Sequence, residues 1–415
     1  MGSDAVLSVN PIPNIIMRIL FLSRWFPYPP NNGSKLRIYN LLRGLSQHHQ
    51  ITLLSFADEP TADPNVPELR RICQDVQTVP WKPFDPQSRQ ARWAFLSVTP
   101  RSYVDTYSPS MSKHVERALS TCDYDLVIAS QLDMAQYGRM LRKTPALLEE
   151  VEVALLYEQV AQATSSRQRA RRHLTWLKQR RYLAGVLQNF RACTVVSERE
   201  RQLLQRTVPG SGLVEVVPNG IDVADYEVTG AEPQPNSLIY TGSFRYAANH
   251  DAMIWFLEAV WPRIQARIPE ASLTITGDHA GLSLPPAKNV TLAGFVPDVR
   301  PLIASSWVSV APLRVGGGTR LKILEAMALG TPVVATSKGT EGLEALNGMH
   351  LLVADTPEDF AAAVVRLLCE PELRLRLAEN AYLLVSNKYD WKGIMPRFLS
   401  LIEQVARQPS ADPTH

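Results

Sequence analysis

The chain has 415 residues, 45% of them hydrophobic and 20% charged, with a net charge of +3. That length is comfortable for two α/β domains with full-sized cores, and the apolar share excludes a disordered or fibrous chain. The mild charge gives no argument for nucleic acid, which is not expected as a partner, and the scattered Cys73, Cys122, Cys193 and Cys369 suggest neither a disulfide framework nor a zinc cluster.

Residues 1–15 read as an extension with no signal-peptide pattern, and no apolar run is long enough to span a bilayer, so a cytoplasmic location is expected. Ile16 to Leu22 is apolar and β-rich. A loop, Phe26-Pro27-Tyr28-Pro29-Pro30-Asn31-Asn32-Gly33-Ser34, leads into a helix-like stretch from Lys35 to Gln47 and a strand from Ile51 to Phe56. Leu126 to Ala129, Ala146 to Leu148 and Cys193 to Val196 continue the buried-strand pattern. Val216-Val217-Pro218-Asn219-Gly220-Ile221-Asp222 marks a strand exit and a domain boundary, with the polar segment to Asn236 as linker.

The second half repeats the style. Strands are expected at Ser237–Thr241, Ser272–Thr276, Val290–Ala293, Val308–Ala311, Pro332–Ala335 and Leu351–Val353. Helices are expected at Asp251–Arg267, Asp298–Ala304, Leu321–Leu329 and Pro357–Leu368. Apolar strands alternating with helices predict two doubly wound parallel sheets, in residues 16–217 and 218–388. A last helix within 389–407 has apolar spacing but no following strand, and could cross back onto the first domain. Residues 408–415 form a polar tail.

The most informative stretch is Gly316-Gly317-Gly318-Thr319-Arg320-Leu321-Lys322-Ile323-Leu324-Glu325. Successive glycines let backbone approach a ligand, and the N-terminus of the following helix favours an anion. Arg320 and Lys322 add full charges, so a phosphate or diphosphate is the natural guest. Glu325, on the same helix, could accept hydrogen bonds from a vicinal diol such as a ribose. Diphosphate plus sugar ring describes a nucleotide-activated sugar.

This stretch, with Val216–Asp222 and Leu292–Val299, resembles the retaining glycosyltransferases of family 4, also called group 1. The resemblance covers most of the chain and implies a GT-B fold, two Rossmann-like domains facing across a cleft. It also implies a donor held mainly by the second domain, transfer to a hydroxyl acceptor, and no metal or other cofactor. Gly33 looks like the family's N-terminal glycine loop, where donor diphosphate and acceptor approach; the other reading is a proline-stiffened turn. Phe295 and Val296 resemble the base pocket, with a core aromatic as the alternative for Phe295, and Gly277 would leave room for the nucleotide. Backbone around Gly317, Gly318, Thr319 and Leu321 would line the donor.

Three departures matter. Many members carry two glutamates in this stretch; the second matches Glu325, but Gly317 stands at the first. An Arg and a Lys often follow the first strand of the second domain, and here those positions hold Ser243 and Ala248. The phosphate charge is then expected to fall to Arg320 and Lys322, with Arg245 assisting. The family's first-domain His has no counterpart in Leu147–Val153, where Glu152 is the matching candidate to hold a sugar hydroxyl or assist an acceptor proton. A solvated acidic loop is the alternative.

No acidic residue separates Glu158 from Glu198, while arginines and Lys178 accumulate there among Trp176, Leu177, Tyr182, Leu183 and Leu187. Residues 165–191 could rest on an anionic membrane surface or meet a phosphate-bearing acceptor; otherwise they form a solvated basic helix whose apolar side faces the core. The leading expectation is a retaining, metal-independent glycosyltransferase serving glycan, glycolipid or exopolysaccharide synthesis. Two others stay open: a nucleotide-sugar epimerase of the same fold, and a non-catalytic sugar-nucleotide-binding protein.

Overall fold

Every strand pairing in the computed structural model is parallel. It describes residues 16–154, 157, 165–226, 231–318 and 320–408. Seven strands form the first sheet: β1 (Arg18–Ser23), β2 (Gln50–Ala57), β3 (Asp75–Pro80), β4 (Leu126–Ser130), β5 (Ala146–Glu149), β6 (Ala192–Val195) and β7 (Leu213–Val216). Their order is β3-β2-β1-β4-β5-β6-β7. Six more form the second: β8 (Gln234–Thr241), β9 (Ser272–Thr276), β10 (Val290–Gly294), β11 (Ser306–Ala311), β12 (Val333–Ala335) and β13 (Leu352–Val353). Their order is β10-β9-β8-β11-β12-β13.

Burial explains which strands stand out in the sequence. β1 is buried from Ile19 onward and β4 throughout, because helices cover both faces of a parallel sheet. β3 lies at the edge of the first sheet and mixes polar with apolar residues, so it carries no continuous apolar run. β8 begins at Gln234, inside the polar segment expected to be linker. The start of β8 is exposed, so nothing selects apolar residues there. The long helix Pro371–Lys388 also escapes the apolar reading, since most of its surface is wet.

The chain crosses between the sheets twice. Val217–Asp222 leads out of the first sheet, and Tyr389–Trp391 leads back into the closing helix, Trp391–Arg407. The two crossings lie side by side. The Ile221 N–H donates to the Tyr389 carbonyl (2.9 Å), and the Trp391 N–H donates to the Ile221 carbonyl (3.1 Å). Arg43 pairs with Asp222 (2.8 Å), tying the outward crossing to the helix Gly33–Ser46. Trp391, Ile394, Phe398, Leu401, Ile402 and Val405 then pack with Ile19, Phe21, Ile38 and Leu41 in one buried cluster, so the closing helix completes the first domain's core.

Strand order reverses between β1 and β4 and again between β8 and β11. Ligands of such sheets bind outside the carboxyl ends of the strands at these points. The two points face each other: a Cβ placed on Gly33, after β1, would lie 3.4 Å from Leu321 Cδ1, after β11.

Candidate functional site

An open cleft lies between the domains. One wall is Glu152, Ala154, Ser197, Arg199 and Glu200; the other is Gly317, Gly318, Arg320, Glu341 and Gly342. Arg199 and Glu341 form an ion pair across it.

On the second-domain wall the glycine loop is shaped by its own arginine. Arg320 is buried, and its guanidinium donates to the carbonyls of Gly317 (2.8 Å), Gly316 (2.8 Å) and Lys338 (3.3 Å). Its charge therefore reaches the cleft from behind the loop. The Gly317 N–H donates to the hydroxyl of Tyr246 (3.2 Å), a residue with no counterpart in the sequence reasoning. Leu321 opens the helix Leu321–Ala328 and faces Gly33. Thr319 lies outside the described residues.

Lys322 sits deeper. Its ammonium donates to the Tyr240 hydroxyl (3.0 Å) and to Asn249 Oδ1 (3.0 Å) and lies 4.1 Å from the Tyr240 ring centroid. Asn249 in turn donates to the Ser243 carbonyl (2.8 Å). A Cβ on Gly242 would fall 2.7 Å from Lys322 Nζ, so the ammonium lies against the exit of β8. Lys322 thus carries charge to the neighbourhood of Ser243 and Ala248, where the family pattern has its basic residues. Burial, then the nearby Arg320, pull the Lys322 pKa down to about 7. Among the described residues no carboxylate lies within ion-pair distance of it.

Glu325, one turn further, accepts a hydrogen bond from the Tyr226 hydroxyl (3.0 Å), and burial raises its pKa. Gly277 is required for a reason nearer than a nucleotide: a Cβ there would fall 2.5 Å from the Gly242 carbonyl, because β8 and β9 leave the sheet in contact. Ser243 Oγ donates to the Asp278 carbonyl (3.2 Å). Arg245 stands in solvent, ion-paired with Asp278. Phe295 is 76% exposed, which removes the core-aromatic alternative, and Val296 beside it is half-buried.

The first-domain wall is not a solvated acidic loop. Glu149 and Glu150 are buried, and Arg37 donates to Glu149 (2.6 Å) and to Asn219 of the outward crossing (2.8 Å). Ser130 at the end of β4 donates to the other Glu149 oxygen (2.8 Å). Glu200 accepts from the backbone N–H groups of Val153 (2.8 Å) and Ala154 (3.2 Å), fixing the exit of β5. That fixed turn aims Glu152 across the cleft, where a Cβ on Gly318 would lie 3.9 Å from Glu152 Oε1. Burial and then Glu200 raise the Glu152 pKa, against Arg37 and Arg320.

A further polar cluster, absent from the sequence reasoning, lies at the carboxyl ends of β1, β3 and β4. The buried Arg24 guanidinium is sandwiched 4.2 Å from the Trp25 ring centroid and 3.5 Å from that of Trp81. Burial lowers its pKa to about 10, while Asp133 and Asp58 oppose the shift. Only the Arg-Trp pair in the sequence hints at it, because Trp81 and Asp133 arrive by sheet order.

Comparison with known proteins agrees with this geometry. The profile described as Glycosyltransferase Family 4 matches residues 31–225, and that described as Glycosyl transferases group 1 matches residues 235–370. An uncharacterized 44.6 kDa protein in the cps region of Klebsiella pneumoniae is 21% identical over 389 residues, covering 91% of this chain and 97% of its own. The lipopolysaccharide core biosynthesis glycosyltransferase LpsE of Rhizobium meliloti is 31% identical over 153 residues, covering 33% of this chain and 43% of LpsE. HepE of Anabaena, solved with UDP and glucose, superposes with a TM-score of 0.67 at 16% identity, covering 94% of this chain and all of HepE. With two sheets meeting at their switch points and both halves matched, the chain belongs to the GT-B glycosyltransferases of group 1, family 4.

Proposed function

We propose that the protein transfers a sugar from a nucleoside-diphosphate sugar to a hydroxyl acceptor, with retention of configuration, in the synthesis of a glycan or glycolipid. The observation that carries this reading is Lys322: a half-buried residue at the β8–β11 switch point whose ammonium is desolvated and hydrogen-bonded to the neutral oxygens of Tyr240 and Asn249, with Glu325 acting on it only from beyond ion-pair distance. Desolvation makes such a charge costly until an anion arrives. A donor diphosphate lying on the glycine loop supplies that anion, and the structural neighbour HepE was solved with UDP.

In this reading Lys322 and the N-terminus of the Leu321–Ala328 helix stabilise the charge that builds on the departing diphosphate, with Arg320 contributing through the loop it clamps. Fixed cations then take the part a metal plays elsewhere, so the reaction is proposed to be metal-independent. Glu325 takes the ribose hydroxyls in exchange for Tyr226, and Phe295 and Val296 flank the base. Same-face attack lets the leaving diphosphate accept the acceptor proton. Glu152, on the opposite wall, orients a sugar hydroxyl at the reacting centre, and the first domain takes the acceptor.

The test is calorimetry and thermal shift with UDP, GDP, ADP and dTDP in EDTA, followed by donor turnover. A metal-independent hit that weakens in Lys322→Met supports the site. Binding of none of the four would overturn it, and binding without transfer or hydrolysis would favour a sugar-nucleotide-binding protein.

A further inference from the structure

The segment that follows β3 holds a feature transferase chemistry does not use. Trp93, Phe95, Leu96 and Val98 are 77%, 56%, 85% and 65% exposed. Single exposed hydrophobic residues are ordinary on a soluble protein, but four large ones within six positions form a patch that asks for a partner. The surrounding fold holds this patch outward. Buried Asp105 accepts from Lys82 (2.9 Å), from the Asp85 N–H (2.9 Å) and from the Ser88 hydroxyl. Arg101 clamps the carbonyls of Ala91 and Pro86 (2.6 Å each), while Ala91 and Ala94 are buried beneath.

Beside this patch runs the basic helix Ser166–Leu187. Most of its apolar residues turn out to face inward: Leu183 and Leu187 are buried, Trp176 packs against the core, and Tyr182 stacks on Tyr103 at 4.4 Å. Its outer surface carries Arg167, Arg169, Arg171 and Arg181, with Leu174 and Leu177 among them. Lys178 joins the two elements, donating to the Phe95 carbonyl (2.7 Å) with its ammonium 5.7 Å from the Phe95 ring centroid. Arg89 and Arg92 continue the cationic rim on the other side.

We propose that this composite surface seats the first domain on an anionic lipid bilayer. Trp93, Phe95, Leu96 and Val98 enter the boundary between headgroups and acyl chains, and the arginines of the Ser166–Leu187 helix meet lipid phosphates. Charge complementarity selects this occupant. A cationic field with no acidic residue between Glu158 and Glu198 matches a sheet of phosphates and repels a second copy of itself. The patch emerges from the carboxyl end of β3, the end of the sheet that faces the cleft, so docking brings the acceptor-binding domain to where lipid-linked hydroxyls lie. The inference does not rest on the catalytic assignments.

The test is co-sedimentation of the full chain with vesicles of phosphatidylglycerol and phosphatidylcholine, against phosphatidylcholine alone. The wild type should bind the anionic vesicles at least about tenfold more tightly, with tryptophan emission shifting to the blue and binding weakening as salt rises. Trp93→Ser with Leu96→Ser should reduce that affinity about tenfold or more, as should Arg167→Gln, Arg169→Gln and Arg171→Gln together. Melting temperature and nucleotide binding should stay unchanged in both, which keeps failure here distinct from failure of the donor site. Equal binding to both vesicle types, no binding, or full binding by the Trp93/Leu96 variant would overturn the proposal. So would a dimer in light scattering that this variant dissolves, since the patch would then belong to a second copy.

Discussion

The two domains each hold a desolvated cation near the cleft, in opposite ways. Arg37 is answered by the protein itself: its Nε donates to Glu149 Oε1 (2.6 Å), its Nη2 lies 2.6 Å from the same oxygen, Ser130 occupies the other Glu149 oxygen, and Asn219 accepts from Nη1. Lys322 has a phenol and an amide, neither of them charged. A buried charge matched inside the fold is architecture, whereas one left with neutral partners is prepared for a visitor. The sequence alone does not separate the two, since both are basic residues on amphipathic helices.

The largest effect should come from breaking the matched pair. Arg37→Met leaves the buried Glu149 without its cation, and should cost about 3–5 kcal/mol in denaturant unfolding. A loss below about 1 kcal/mol would erase the contrast between the domains. Lys322→Met should do the reverse, leaving stability equal or higher because the desolvation cost disappears, while turnover falls about 10²–10³-fold. Wild-type kinetics in that variant would remove Lys322 from the phosphate site.

Proton counting sharpens the same point. With its pKa near 7 in the empty site, Lys322 is largely neutral at pH 8, and a bound diphosphate raises that pKa. Binding should therefore take up a proton, and affinity should fall as pH rises above 7, by up to about tenfold per unit. Calorimetry at pH 8 in buffers of different ionisation heat should report this uptake in the wild type and none in Lys322→Met. Glu152→Gln should lower turnover about tenfold with nucleotide affinity kept, as expected for about 1.4 kcal/mol of orienting interaction. Tyr246→Phe, which removes an acceptor from the Gly317 N–H, should cost only about 1 kcal/mol in donor affinity, read by the same calorimetry.

The legible parts of the chain are those whose signal is local. Ile19–Leu22 and Leu126–Ala129 announce buried strands because both faces of the sheet are covered, and the glycine run announces a loop because Gly316 and Gly318 take a positive φ that other residues rarely adopt. The partners of the loop were hidden. Tyr240 lies 82 positions from Lys322 and Tyr226 lies 99 from Glu325, and only sheet order brings them together. Glu152 could be aligned but not oriented, since its direction depends on Glu200 holding the backbone at Val153 and Ala154. The basic stretch was visible as charge, yet the exposed apolar residues it works with lie some seventy positions earlier, around Trp93.

The paired crossings between the domains set how the cleft can open. No Cβ fits at Gly220, where the Tyr389 carbonyl and Ile394 Cδ1 would both lie at 2.5 Å, so the two plies are pressed together as well as hydrogen-bonded. Twisting one ply drags the other. The crossings thus join the domains on one side of the cleft, and the half-exposed Arg199–Glu341 pair bridges it. Exposed pairs contribute at most about 1 kcal/mol, so this bridge can break for substrate exchange while the hydrogen-bonded crossings hold the domains together.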